Sequence, residues 1–148
     1  HSGIGKSETA IELVKRGHRL VADDSVIVMR VAGGLIGSSP EMVRYFMELR
    51  GIGITHIKNM YGSGSVLDRK EIELVVELEN WDEEKVYDRL GDGPQYETIL
   101  GVKVPKHTIP VKPGRNLSII IEVAARNFRL KSMGYDAAQE LIGRTIGR

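Results

Sequence analysis

The chain has 148 residues, 41% of them hydrophobic, and a formal net charge of +1. That length suits one domain with a buried core, and so balanced a charge argues against a nucleic-acid partner. It has no cysteine and no run of about 18 apolar residues, which excludes disulfides, thiol metal sites and a membrane-spanning helix, and fits a reducing compartment.

The chain starts at His1 rather than Met and shows no signal-peptide pattern, so upstream sequence is expected. Ser2-Gly3-Ile4-Gly5-Lys6-Ser7 reads as most of a phosphate-binding P-loop, G-x-x-x-x-G-K-[ST]. The first glycine of the pattern would stand one position before His1. Gly3 and Gly5 let backbone N–H groups turn toward an anion at the mouth of a helix. Lys6 reaches terminal phosphates, and the Ser7 hydroxyl suits Mg²⁺. The plainer alternative is a glycine-rich turn that starts a helix.

Glu8 to Arg16 is helical in pattern, with Ala10, Ile11, Leu13 and Val14 on one stripe and Gly17 as the stop. A short strand through Leu20-Val21-Ala22 ends at Asp23-Asp24. Two carboxylates soon after a P-loop helix suit magnesium handling or proton abstraction; a solvated acidic turn is the alternative. Ser25 to Val31 is β-rich, and Ala32-Gly33-Gly34 is a turn. Ser38-Ser39-Pro40-Glu41 reads as a helix start, with Met42, Val43, Phe46, Met47 and Leu49 on the buried side. That helix would run into Glu48-Leu49-Arg50-Gly51, which by itself is a surface ion pair before a glycine stop.

Asn59 to Ser65 reads as a loop. Ile72, Leu74, Val76 and Leu78 alternate with Glu71, Glu73, Glu77 and Glu79, the pattern of a half-buried antiparallel strand. Asn80 is placed to cap a short helix ending near Arg89. Residues 91–94 form a turn, and Tyr96 to Val104 a strand pair around Gly101. Thr108 to Asn116 reads as a Pro/Gly loop whose Lys112 and Arg115 suit phosphate or make a solvated basic turn. One helix is expected from about Leu117, capped by Asn116 and stopped by Gly134. A last one opens at Asp136. His1, His18, His56 and His107 do not pair at metal-ligand spacing.

Taken together, these strings resemble the bacterial HPr kinase/phosphorylase family, in its C-terminal catalytic domain. The resemblance rests on the P-loop, Arg16-Gly17-His18-Arg19-Leu20-Val21-Ala22-Asp23-Asp24, and Glu48-Leu49-Arg50-Gly51-Ile52-Gly53-Ile54. It continues through Leu78-Glu79-Asn80-Trp81, Tyr87-Asp88-Arg89-Leu90, Pro110 to Leu117 and Asn127 to Tyr135. It implies a single α/β catalytic domain over residues 1–148, lacking an upstream strand and an N-terminal domain. The implied fold is a P-loop core similar to that of phosphoenolpyruvate carboxykinase, a mixed sheet with flanking helices.

The resemblance further implies a cytoplasmic hexamer. It would phosphorylate a serine of the phosphocarrier HPr with ATP or pyrophosphate and Mg²⁺, and remove the group with inorganic phosphate, thereby regulating carbon metabolism. By the same resemblance Ser2, Gly3, Ile4, Gly5, Lys6 and Ser7 bind nucleotide, with Lys6 on the transferred phosphate. Ser7 and Glu48 bind Mg²⁺, Asp23 is the base and acid, and Arg89 is a catalytic cation. Glu48, Leu49, Arg50, Gly51, Ile52, Gly53, Ile54 and Thr55 form the signature segment. Pro110, Val111, Lys112, Pro113, Gly114 and Arg115 form the loop for dephosphorylation. The family's upstream catalytic histidine falls before His1. A small-molecule phosphotransferase of carboxykinase type and a non-catalytic nucleotide sensor are the competing readings.

Overall fold

The computed structural model describes residues 5–82 and 94–146, and it is a mixed α/β structure. Helix α1 (Lys6–Lys15) is followed by an antiparallel pair, β1 (Ile27–Val31) and β2 (Gly34–Ser38), to which β5 (Arg69–Glu71) adds on the far side of β2. Strands β3 (Phe46–Leu49) and β4 (Gly53–His56) form a separate hairpin, continued by the short helix α2 (Ile57–Tyr61). The third sheet has the order β6 (Val75–Asn80), β8 (Val102–Val111), β7 (Gln95–Ile99). Helices α3 (Leu117–Ser132) and α4 (Ala137–Ile146) close the chain.

The core that positions the P-loop helix is small. Val14, Leu20, Met47, Ile57 and Val66 are buried together, with Ala10, Ile11, Tyr45 and Leu49 packed against them. The apolar stripe of α1 therefore faces β3. Burying a side chain such as Met47 is worth roughly 1.5–3 kcal/mol. The same burial fixes what comes next: along β3, Met47 points inward, so Glu48 points out.

The helix expected after Ser38 does not form. Glu41–Val43 is a single 3-10 turn, Arg44 is extended, and Tyr45 stands in the left-handed region at φ 74 before β3 begins. Met47 and Leu49 also alternate as the inward positions of a strand, and pairing with β4 decides the outcome. Gly51 and Gly53, with φ of 83 and 102, permit the tight return.

Asn59 to Ser65 is not a loop throughout; α2 covers its start, capped by His56 Nδ1, which accepts from Asn59 N at 3.0 Å. The glutamate-lined strand starts only at Val75, and its partner β8 runs parallel rather than antiparallel. Leu20 contributes one parallel bridge, to Val66, instead of a strand.

The turn between β7 and β8 falls at Leu100 and Gly101, both at positive φ, as the hairpin signal implies. Strand β8 extends to Val111, so the expected Pro/Gly loop shrinks to residues 112–116. The Asn116 side chain accepts from Ile119 N at 3.4 Å and caps α3, and Gly134 follows its end at φ 98. The Asp136 carboxylate accepts from Ala138 N and Gln139 N at the start of α4. The helix expected after Asn80 lies outside the described residues beyond Asp82.

Candidate active site

Gly5 caps α1 in the left-handed conformation, φ 86 and ψ 32, a geometry that favours glycine. Lys6 and Ser7 are therefore the first two residues of the helix, where free N–H groups and the helix dipole favour an anion. Lys6 is exposed and Ser7 half-buried. Ser2, Gly3 and Ile4, the remaining candidates of the cradle, lie outside the described residues, as does Arg89.

The chain leaves α1 through Arg16-Gly17-His18 and runs along the segment 65–67. Leu20 N donates to Ser65 O at 2.8 Å, and Leu67 N donates to Leu20 O at 2.9 Å. This pairing delivers Asp23 to the β3 end. Its Oδ2 accepts from the backbone N–H of Glu48 at 3.2 Å. Asp23 is half-buried, whereas Asp24 beside it is exposed. Burial pushes the Asp23 carboxyl above its ordinary value; the Glu48 N–H opposes this, the Asp24 and Glu48 carboxylates add to it, and the Lys6 charge lowers it slightly. Asp23 thus lies within electrostatic reach of both Glu48 and Lys6.

The signature segment Glu48 to Thr55 is the β3–β4 turn with its flanks. Thr55 Oγ1 donates to Met47 O at 2.8 Å and braces the hairpin behind Glu48. Ile52 and Ile54 are exposed at its tip.

Pro110 to Arg115 stands apart. Pro110 and Val111 end β8 beside Glu79 and Asn80. Lys112 Nζ lies 5.1 Å from the centre of the Trp81 ring, a cation–π contact, and Arg115 N donates to Lys112 O at 3.3 Å. Among the described residues no hydrogen bond or ion pair joins this segment directly to Lys6, Asp23 or Glu48. The structure therefore brings Gly5, Lys6, Ser7, Asp23 and Glu48 together and leaves Lys112 and Arg115 on a separate loop.

One cluster escaped the sequence reading. Glu122, on α3, accepts from Arg16 Nε at 2.9 Å and Nη2 at 3.0 Å, and bonds His18 Nε2 at 2.9 Å. Arg126 Nη2 lies 3.7 Å away. The Arg16 hydrogen bond, then that of His18, hold the Glu122 carboxyl well down, at about 2. Its signal was available: a single carboxylate in the apolar run Ile119-Ile120-Ile121-Glu122-Val123 demands a cationic partner.

A magnesium ion would need oxygen donors here. Among the described residues no three His, Cys, Asp or Glu side chains gather as a metal cage. Ser7, in the first turn of α1, and Glu48, on β3 beside Asp23, offer hard oxygen donors. Mg²⁺ commonly takes one or two carboxylate or hydroxyl ligands and completes its shell with phosphate and water, so the residues fit.

Comparison with known proteins places similarity along nearly the whole chain. The family description "HPr Serine kinase C-terminal domain" matches residues 1–145. A protein named HPr kinase/phosphorylase from Thermoanaerobacter sp. (strain X514) is 63% identical over 141 residues, covering 95% of this chain and 46% of that one. One of the same name from Geobacillus thermodenitrificans is 56% identical over 144 residues, covering 97% of this chain and 47% of that one. The chain thus spans about half the length of these relatives. A solved structure, titled "Structure of the Hpr(Ser) kinase/phosphatase from Coxiella burnetii", superposes with a TM-score of 0.84 at 38% identity, covering 95% of this chain and 86% of that one. With the family match spanning nearly every residue, the chain belongs to the HPr serine kinase C-terminal domain family.

Proposed function

We propose that this chain is the catalytic domain of a bifunctional protein-serine kinase/phosphorylase. It transfers the γ-phosphoryl group of ATP, or a phosphoryl group of pyrophosphate, to a serine of HPr. It also removes that group with inorganic phosphate. The observation that carries the reading is the convergence of Lys6 at the α1 N-terminus with a half-buried Asp23 tied to Glu48. The family membership and the relatives' names support it. The core is proposed to be of phosphoenolpyruvate carboxykinase type, and the whole protein a cytoplasmic hexamer that regulates carbon metabolism.

The chemistry follows from the residues. The α1 N-terminus and Lys6 hold the phosphates and offset the charge that builds on the transferred group. Asp23 accepts the serine proton as its oxygen attacks the γ-phosphorus and the bond to ADP breaks. In the other direction a phosphate oxygen attacks the phosphoserine phosphorus. The serine–phosphorus bond breaks, protonated Asp23 returns a proton to the serine oxygen, and pyrophosphate leaves. A carboxyl raised by burial suits both tasks, since it holds and releases its proton nearer neutrality. Ser7 and Glu48 would hold Mg²⁺, which when bound neutralises phosphate charge. Arg89 is proposed as a further cation at the transferred group. The Pro110–Arg115 loop is proposed to receive free phosphate.

The test is incubation of the full-length protein with HPr, ATP and Mg²⁺, and of phosphoserine-HPr with phosphate. Phosphoserine on HPr, and pyrophosphate release in the second assay, are expected. Transfer to a small molecule only, or nucleotide binding without turnover, would replace this reading with a carboxykinase-like phosphotransferase or a nucleotide sensor.

A further inference from the structure

Two regions of this chain are proposed to handle phosphate, and among the described residues no hydrogen bond or ion pair joins them directly. Lys6 sits at the N-terminus of α1; Lys112 and Arg115 sit on the loop that enters α3. What links the two helices is Glu122. Among the described residues its contacts are the only ion pairs that tie α3 to the rest of the fold.

The link is built as a rigid one. Both acceptor oxygens of Glu122 are used: Oε1 takes Arg16 Nη2 and Oε2 takes Arg16 Nε, a two-pronged pair that fixes orientation as well as distance. His18 Nε2 shares Oε2 at 2.9 Å. The Glu122 side chain is only 10% exposed, against 39% for Arg16 and 45% for His18. The carboxylate therefore forms the inner member, and its partners lie on either side of Gly17, whose φ of 98 turns the chain out of α1.

That turn matters at both of its ends. Upstream lies the helix that starts with Lys6. Downstream of His18, once Leu20 is clamped to 65–67, the chain reaches Asp23, five residues on. On the other side, Glu122 lies in the second turn of α3, close to the Asn116 cap and the loop before it.

We propose that Glu122 is a positioning residue that sets the separation between the Lys6–Asp23 centre and the loop carrying Arg115, and so supports phosphorolysis more than ATP-dependent phosphorylation. This rests on the function proposed above. The asymmetry has a chemical reason. In the ATP reaction the phosphoryl group arrives tethered to a nucleotide already held by α1. In phosphorolysis free phosphate must be presented to the phosphoserine by the loop, and a displacement of about 1 Å can cost on the order of 10²-fold. The two reactions are not reverses of one another, so one can fall without the other.

The experiment uses the full-length protein and Glu122→Gln, which keeps the shape and loses the charge. Phosphorolysis should fall at least roughly tenfold with a raised KM for inorganic phosphate, while ATP-dependent phosphorylation changes by less than about threefold. The double variant Glu122→Gln/Arg115→Ala should lose no more phosphorolysis than Arg115→Ala alone, because the carboxylate acts through the loop. The exchange Arg16→Glu/Glu122→Arg should recover part of the loss if Glu122→Gln fails to fold well. Equal losses in both reactions, or additive losses in the Arg115 double variant, would overturn the proposal. A wild-type protein inactive on HPr in both directions would instead overturn the functional reading.

Discussion

The backbone N–H of Glu48 donates to the Asp23 carboxylate across 3.2 Å, so the residue proposed for metal and the residue proposed for proton transfer are held by one hydrogen bond. Asp23 therefore has a fixed position, while Asp24 points to solvent. The two neighbours stand in a bend, one half-buried and the other exposed, so they should not be interchangeable. General-base assistance is worth about 10²–10⁴-fold. Asp23→Asn is expected to keep nucleotide binding and lose phosphorylation and phosphorolysis together, by a factor in that range. Asp24→Asn should act more weakly and through positioning. Single-turnover transfer at matched folded fraction decides; if Asp24→Asn alone abolished both reactions, the base would be Asp24.

The same geometry gives a pH expectation. Burial raises the Asp23 carboxyl, and as a base it must be ionised, so phosphorylation should rise with pH through an inflection above the ordinary carboxylate value. Phosphorolysis uses the protonated form and should weaken over the same interval. Profiles of the two rates that moved in parallel would argue against one shared carboxyl.

Lys6 is the first residue of α1 and Ser7 the second, beyond a glycine that cannot be replaced without strain at φ 86. A hydrogen bond to a charged partner is worth about 1.5–3 kcal/mol, roughly 10–100-fold in affinity. Lys6→Ala should lose ATP affinity by that order, and Ser7→Ala should raise the Mg²⁺ concentration needed for activity. Calorimetric titration with ATP and a magnesium titration of the rate check both. A folded Lys6→Ala protein with unchanged ATP affinity would refute the assignment.

What the sequence revealed and what it hid have separate causes. Local rules suffice for α1, for the Leu100-Gly101 turn and for the Asn116 cap, because each is decided by a few neighbouring residues. They fail at residues 41–49, where Met47 and Leu49 fit either period and the partner strand β4 decides. They fail again at β6, whose alternation is visible but whose parallel pairing with β8 is set by chain topology. In the candidate site, glycine, lysine and serine are legible because phosphate binding demands them in a fixed order. That Asp23 would meet Glu48 is not, since 25 residues separate them and only the Leu20–Val66 bridge and the burial of Met47 bring them together.

Arg115 and Lys112 share a loop yet stand differently. Lys112 lies against the Trp81 ring, whereas the Arg115 guanidinium is exposed and makes no ion pair among the described residues. Only Arg115 is at liberty to meet a free anion. Arg115→Ala should therefore depress phosphorolysis by at least roughly tenfold, the order of a lost charge-assisted contact, and spare ATP-dependent phosphorylation. Lys112→Ala should depress phosphorolysis less. Rates of phosphate-driven pyrophosphate release from phosphoserine-HPr, set beside transfer from ATP, distinguish the two. Equal loss in both directions for Arg115→Ala would count against a phosphate-receiving loop.

Glu122 also makes the fold sensitive to acid in a definite direction. Its carboxyl is lowered from 4.5 to about 2, chiefly by the Arg16 hydrogen bond and then by His18, against the opposing effect of burial. A depressed folded value means that the native chain stays ionised where the unfolded chain is already protonated. The resulting stability is fully present above about pH 4.5 and is lost as pH falls toward about 2. Arg16 is partly exposed, so salt should reduce the effect. Glu122→Gln should be less stable than the parent at pH 7, because it leaves Arg16 and His18 without their carboxylate. It should also show a flatter decline between pH 4.5 and 2, so that the two curves converge in acid. Urea midpoints measured at intervals across that range check this. Curves that stay parallel down to pH 2 would mean that the Glu122 pairing contributes nothing to the folded state.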